Sequence, residues 1–342
     1  MPTGLSVGLP TGLSTGLPTG LSVGLSVAAP VGAPTGVLAD APAGVCVTTH
    51  AAQAVCAAGA AGAAVAARPE NPLDADYRLL LDLCPALRVR LLAEHEPAPA
   101  RAQGWYSAAE LAVDRAALAE ALAGEAARIA PVAAGHGTAP RPHVAASRLL
   151  HHYLWSVCLL IAGPWRLARR VPSIEGADLW LHAPTGNLAL RPRAHITLPG
   201  EDELRAELRA AVVTHVEPLL AAFTGPTRRG TRALWGMVAD DLASAIWHLG
   251  KRLDAHPAAS GTGSPEDLSP AEDAAVAAAT ALLPGRTEPL PGAADFRLLH
   301  AADGRAHHTR TRLGCCLYYA IEPGNACVTC PRTCDEERLR RL

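Results

Sequence analysis

Five of the nine cysteines in this 342-residue chain fall between Cys315 and Cys334. A buried structural cysteine behaves as a small hydrophobe and needs no thiol neighbours, so packing does not account for the crowding. Thiols gathered in one short segment point to a metal or cluster site, or to redox chemistry. The pattern is C-C-x10-C-x2-C, formed by Cys315, Cys316, Cys327 and Cys330, with Cys334 following after three residues. A site that uses all four must bring two thiol pairs together across the intervening loop. Glu322-Pro323-Gly324-Asn325 is a turn sequence that would fold the loop back.

The opposite end of the chain carries the least information. Residues 1–27 repeat Gly-Leu-[Ser/Pro]-[Val/Thr] with glycine in register from Gly4 to Gly24. Glycine and proline at that density forbid a regular helix, so residues 1–70 are expected to be low-complexity and disordered, or an over-extended gene start. A signal peptide is not expected, because there is no basic n-region and every apolar run is interrupted. The Ala-rich run 51–67 is interrupted by glycines and adds little transfer energy, so it is not expected to span a membrane. Cys46 and Cys56 are assigned no role.

Ordered sequence begins near Pro72. Leu73, Tyr77, Leu80, Leu81 and Cys84 recur at helical spacing up to Pro85, with Cys84 as a core position. Ser107-Ala108-Ala109-Glu110 is a capping box opening a run through Leu111, Leu118, Leu122 and Ile129, expected to end before Pro131. His143–Ala162 reads as a helix buried on most sides. His151 and His152 lie within it about 100° apart, so they cannot share a metal and are read as partly buried, hydrogen-bonded histidines. From Asp178 the period changes to strand, Gly186 turn and strand, giving a hairpin that ends at Arg191. Glu201 and Asp202 open a helix with Leu204, Leu208, Val212, His215 and Leu219 on one stripe, which Pro218 is expected to bend. A further helix spans roughly Arg229–Leu253 with Leu234, Trp235, Val238, Leu242, Ile246 and Leu249 apolar. Residues 255–269 form a linker, Ser269-Pro270-Ala271-Glu272 a second capping box for a helix to Leu283, and Phe296–Leu299 a short strand. The fold class is therefore mainly α with a small β-hairpin or sheet (α+β). Its divisions are 1–70, a helical domain 71–254, the linker 255–269, and a C-terminal helix with the cysteine segment at 270–342.

Composition excludes more than it suggests. The net charge is −2, so nothing global points to nucleic acid or an anionic membrane. Lys251 is the single lysine, an Arg bias that reflects the source genome and weakens any argument from Arg counts. Neither G-x-G-x-x-G after a strand nor a Walker A sequence occurs, so no nicotinamide or flavin site is expected. With so few cysteines outside the cluster the chain is no disulfide scaffold, and a reducing cytoplasm is expected.

Three chemistries remain open for the cysteines. Structural zinc wants four tetrahedral thiolates, but only Cys327-x2-Cys330 forms a knuckle, and the vicinal pair diverges unless the backbone turns sharply. A dithiol switch would need only the CxxC and leave the rest idle. A 2Fe-2S cluster is longer than one ion, so two pairs can approach from different directions.

Arg310-Thr311-Arg312-Leu313-Gly314-Cys315-Cys316-Leu317-Tyr318-Tyr319 with Cys327-Val328-Thr329-Cys330-Pro331 resembles the C-terminal signature of the FhuF-like ferric-siderophore reductases. A weaker likeness lies in His215–Leu220 and in Arg232–Ala239 with its Leu-Trp-Gly. The order of elements is similar over roughly 72–335. The resemblance implies a 2Fe-2S cluster held by Cys315, Cys316, Cys327 and Cys330. Val328-Thr329 stands where Gly-Asp is usual, which should leave ligation intact. Cys334 is additional and is read as a spare thiol, with a resolving disulfide partner or a substitute ligand as alternatives.

That family implies a cytoplasmic oxidoreductase that reduces Fe(III)-siderophore to release Fe(II). Its electron donor would be external, a ferredoxin or reduced flavin, and peripheral contact with a membrane uptake permease is compatible with it. Arg310, Arg312 and Arg332 flank the cysteines and could raise the cluster potential or attract an anionic siderophore, or be solvated surface. His300, His307 and His308 could donate to a sulfur or protonate a released ligand, or be ordinary loop residues. The alternatives from other classes are a zinc-binding structural protein, and an iron–sulfur carrier or sensor without siderophore chemistry.

Overall fold

The computed structural model describes residues 71–255 and 269–341. The glycine repeat, Cys46, Cys56, the run 51–67 and nearly all of the 255–269 linker lie outside the described residues. In chain order the elements are α1 (Pro72–Leu83), β1 (Val89–Leu91), β2 (Trp105–Ser107), α2 (Ala108–Val113), α3 (Arg115–Gly135) and α4 (Pro142–Ala168). Next come β3 (Val171–Ser173), β4 (Leu179–His182), β5 (Leu188–Leu190), β6 (Ala194–Ile196), α5 (Glu201–Thr227) and α6 (Thr231–Asp254). The chain closes with α7 (Pro270–Leu282), β7 (Phe296–His300), β8 (Ala306–Arg310) and α8 (Asp335–Leu339).

Helix α4 is the axis of the structure. Its apolar residues run nearly all round, so it needs partners on every side, and it packs against α1, α3, α5 and α6. By length and composition α4 could cross a membrane, but 78% of its most apolar window is buried inside the protein. Helix α6 uses its other face to hold α7. Cys84 and Cys158 are fully enclosed in this core.

Close helix approach depends on glycine at one contact in particular. A Cβ on Gly250 of α6 would lie 2.8 Å from the Ala271 carbonyl oxygen and closer still to the Ala275 methyl. Both obstacles are short and cannot swing aside. Gly250→Ala is therefore expected to push α7 outward and destabilise the protein by about 1–3 kcal/mol, the usual range for overpacking. Chemical denaturation checks this; an unchanged or raised midpoint would show that α7 moves freely.

The helix beginning at Ser107 departs from expectation in two ways. The capping box forms, with Glu110 N donating to Ser107 Oγ at 3.1 Å and Ser107 N to Glu110 Oε2 at 2.7 Å. The helix then stops after Val113 because Asp114 caps a new one, accepting from Ala116 N and Ala117 N at 2.8 and 3.3 Å. Helix α3 runs on through Pro131, where only about one turn remains before the His136 cap and the loss of one N–H is tolerated. Helix α5 likewise continues through Pro218.

The second capping box is half realised. Ser269 Oγ accepts from Glu272 N at 3.4 Å, but the Glu272 carboxylate turns to Trp247 Nε1 and Lys251. Asp254, at the end of α6, supplies the missing acceptor for Ala271 N and Glu272 N.

The expected hairpin is β4–β5, paired Leu179 with Leu190, with Gly186 at φ +74° in its turn. It grows into a four-stranded sheet in the order β1-β5-β4-β2, with β1 parallel to β5. Strands β1 and β2 have three residues each, too short to show an alternating pattern. Strand β7 pairs with β8, which carries His307 and His308, so these residues lie in a ladder and not in a loop.

Candidate metal centre

Strand β8 leads directly into the cysteine segment, and α6 receives it. Asp240 and Asp241 sit in the apolar run of α6 with no exposed surface. Two buried carboxylates need compensation, and the incoming chain provides it. The Arg310 guanidinium, also fully enclosed, donates to Asp240 Oδ1 at 2.8 Å and to the Asp240 and Ala294 carbonyl oxygens. Arg312 donates to Asp241 Oδ1 at 2.7 Å. Between and beyond these, Leu313 N and Gly314 N donate to the two Asp240 oxygens at 2.9 and 2.8 Å. Two guanidiniums and two backbone amides thus fix the chain up to the residue before Cys315.

His151 of α4 completes the arrangement, with Nδ1 at 2.8 Å from Asp241 Oδ1. Burial pushes the Asp241 pKa up, but Arg312 and His151 outweigh it and hold the group below its usual value. For Asp240 burial wins over Arg310 and Arg312, and its pKa is raised.

Beyond Gly314 the backbone turns sharply. Leu317 adopts a left-handed φ of +64°, and its N–H points to Cys315 Sγ at 3.4 Å. A left-handed leucine carries strain, which its side chain offsets by packing with Ile321, Ala133 and Val144. This is the turn that the vicinal cysteines require. A 3-10 turn at Tyr318–Ala320 follows, and Asn325 N donates to the Glu322 carbonyl at 3.1 Å, closing the expected reversal. Thr138 Oγ1 holds the loop by donating to the Ile321 carbonyl at 2.7 Å. On the return, Arg312 N donates to the Thr329 carbonyl, and Cys330 N to the Cys327 carbonyl, at 3.0 and 2.9 Å. Arg338, 2% exposed, donates to the Cys330 carbonyl and to Thr311 Oγ1.

The loop brings the thiols into two pairs, Cys315 with Cys330 and Cys316 with Cys327. Each pair has one buried member, Cys330 or Cys316, and one half-exposed member. The hydrogen bond from Cys327 holds the Cys316 thiol down at about 4, and His151 and Arg148 reinforce it against burial. Cys327 is pushed up as the partner that keeps the proton. Burial raises Cys315. Among the described residues no three His, Cys, Asp or Glu side chains gather as the ligands of one ion do. Cys315 with Cys330 and Cys316 with Cys327 together offer the four sulfur donors that a 2Fe-2S unit takes.

Residues 312–332 match the family model of the FhuF 2Fe-2S C-terminal domain. The segment is similar to FhuF-type 2Fe-2S domains. No curated protein matches the chain. The four cysteines of the FhuF segment that could hold its cluster are those that the structure pairs.

The flanking residues divide. Arg310 and Arg312 are not solvated surface, as Arg-rich composition suggested, but the buried counter-ions of Asp240 and Asp241. Neither can touch a docked substrate. Arg332 is exposed and lies over the Tyr319 ring at 4.4 Å. Cys334 is exposed and precedes α8, outside the two pairs. His308 Nε2 lies 2.5 Å from Asp273 Oδ1 on α7, and His300 is exposed on β7. His152, read from the sequence as partly buried, is exposed and takes no part, whereas His151 pairs with Asp241.

Asp240, Asp241, Arg229 and Arg148 escaped the sequence reading. The first two had a signal: adjacent carboxylates in the apolar run Leu234–Leu249 demand cationic partners. Arg229, which donates to the Cys315 carbonyl, and Arg148, stacked on Tyr318, had none.

Proposed function

We propose that this protein is a ferric-siderophore reductase that passes one electron to a bound Fe(III) chelate and so releases Fe(II). The observation that carries the reading is the FhuF segment at 312–332, folded with its thiols in two pairs at a partly exposed surface. The 2Fe-2S group supplies one-electron transfer. One electron is enough, since hard oxygen donors hold Fe(II) far more weakly than Fe(III).

Cys315, Cys316, Cys327 and Cys330 are assigned as the ligands. Burial of Cys316 and Cys330 keeps water from half of the site, and the half-exposed Cys315 and Cys327 mark the side at which a chelate can approach. The donor is external, a ferredoxin or reduced flavin, and the setting is cytoplasmic, where a chelate delivered by an uptake permease would be met. No nucleic acid is involved.

The test is anaerobic. Protein reduced with dithionite and freed of excess reductant should be reoxidised by a ferric hydroxamate or catecholate complex, with Fe(II) appearing at one equivalent per cluster. A coloured, reducible protein that no ferric chelate reoxidises would be a carrier or sensor. A colourless protein with one zinc per chain would remove the cluster altogether.

A further inference from the structure

The charges around the paired cysteines fall into two groups. Arg310, Arg312 and Arg338 are buried and matched by the carboxylates of Asp240, Asp241 and Asp335. His151 also sits on Asp241. These groups hold the chain in place and add little net charge, because each cation lies against an anion. Arg229 and Arg148 differ. Neither forms an ion pair with a carboxylate among the described residues, and both face the sulfurs instead.

Arg229 stands half-buried in the turn between α5 and α6. It donates to the Cys315 carbonyl, and through Nη1 to Met237 Sδ at 3.4 Å. Burial pulls its pKa down, and the Cys315 and Cys316 sulfurs are the first charges to oppose that. Arg148, on α4, lies over the Tyr318 ring at 4.8 Å, and its Nε is buried without a hydrogen-bond partner. Behind the hydrogen bond from Cys327, His151 and Arg148 favour the Cys316 thiolate. The other carboxylates nearby are engaged: Glu322 accepts from Tyr318 Oη and faces His136, and Asp335 is held by Arg297 and Arg338. Arg332 lies over the Tyr319 ring, but it is exposed and screened by water and salt.

An iron–sulfur centre held by four thiolates carries net negative charge, and one-electron reduction adds to it. Its potential follows the charge, hydrogen bonding and exposure around it. A half-buried cation without a carboxylate partner therefore favours the reduced form, whereas a neutral ion pair does so far less. We propose that Arg229 and Arg148 are the counter-charges of the thiolates and raise the reduction potential of the centre, while Arg310, Arg312 and Arg338 hold the segment. A raised potential lets a weaker external donor load the centre and leaves it less driving force toward the ferric chelate. The proposal rests on the 2Fe-2S part of the reductase reading and does not depend on which chelate is reduced.

Redox titration of the cluster-loaded protein at one pH, followed by visible absorption, tests this. Arg229→Gln and Arg148→Gln should each lower the midpoint potential, by on the order of tenfold in the equilibrium constant for reduction, or ~59 mV for one electron. Arg229→Lys and Arg148→Lys keep the charge and should retain most of the potential. Arg305→Gln, whose arginine is paired with Asp303 at the tip of the β7–β8 hairpin, should leave it unchanged. Iron content and denaturation midpoint are measured on the same samples. A merely structural role would change those two and leave the potential of the loaded fraction where it was, which would overturn the proposal. Equal shifts in the Gln and Lys variants would overturn it as well. Arg148 meets the segment through the Tyr318 ring, so Arg148→Gln decides the matter if Arg229→Gln fails to retain iron. Potentials that shift as expected in a protein that no ferric chelate reoxidises would sink the reductase reading and leave the proposal standing. A colourless wild-type protein would sink both.

Discussion

Asp240→Ala is expected to destabilise the protein by about 3–5 kcal/mol, the range for breaking a buried ion pair from one side. Arg310 would keep the Ala294 and residue-240 carbonyls and Ser244 Oγ as neutral acceptors. Its full positive charge would nonetheless remain enclosed without a counter-ion. The amides of Leu313 and Gly314 would lose their acceptor in the same step, so the chain entering Cys315 would be freed. Loss of the cluster should therefore accompany the loss of stability. Denaturant midpoints measure the first, and iron and sulfide content per chain the second. Asp240→Asn separates charge from shape: the side-chain oxygen can still serve one amide, so the variant should fold better than Asp240→Ala. An Asp240→Ala protein with normal stability and full iron content would show that the carboxylate is not the anchor.

The second large effect concerns the thiols themselves. Cys315→Ser and Cys330→Ser, one from the half-exposed and one from the buried half of the same pair, should each abolish the visible absorption of the purified protein. A serine hydroxyl is a far harder and less acidic donor than a thiolate, and iron–sulfur centres are held by thiolate. Cys334→Ser should leave the spectrum intact, because Cys334 is exposed and lies outside both pairs. Should Cys334→Ser alone bleach the protein, Cys334 is a ligand and one of the four assigned residues is not. Circular dichroism of each variant distinguishes a missing cluster from a missing fold.

The legibility of this chain follows the range of the interactions. Helices α1, α4, α5, α6 and α7 could be read because each buries a stripe that repeats every three or four residues. The β4–β5 hairpin could be read because its turn needs the positive φ that Gly186 supplies. Asp114 was harder: a single carboxylate decided between one helix and two, and a local bond to Ala116 N won over the apolar period. Strands β1 and β2 depend on partners far away in sequence and leave almost no local trace. The cysteine spacing announced the cluster segment, yet not what holds it. Arg310 and Arg312 read as surface until Asp240 and Asp241 were found beside them, and only a cost argument about buried carboxylates could have paired them beforehand.

The lock between α6 and the cysteine segment bears on how portable that segment is. The family match spans 312–332, but its anchoring carboxylates lie 70 or more residues earlier, on a helix outside the match. A graft of the matched stretch, with Arg310 included, onto another scaffold would carry four thiols and two guanidiniums that have lost their counter-ions. Such a transplant lacks the residues that shape it. The structural unit here is the α6–loop pair, and a transplanted version of this centre would have to travel with its own Asp-Asp helix.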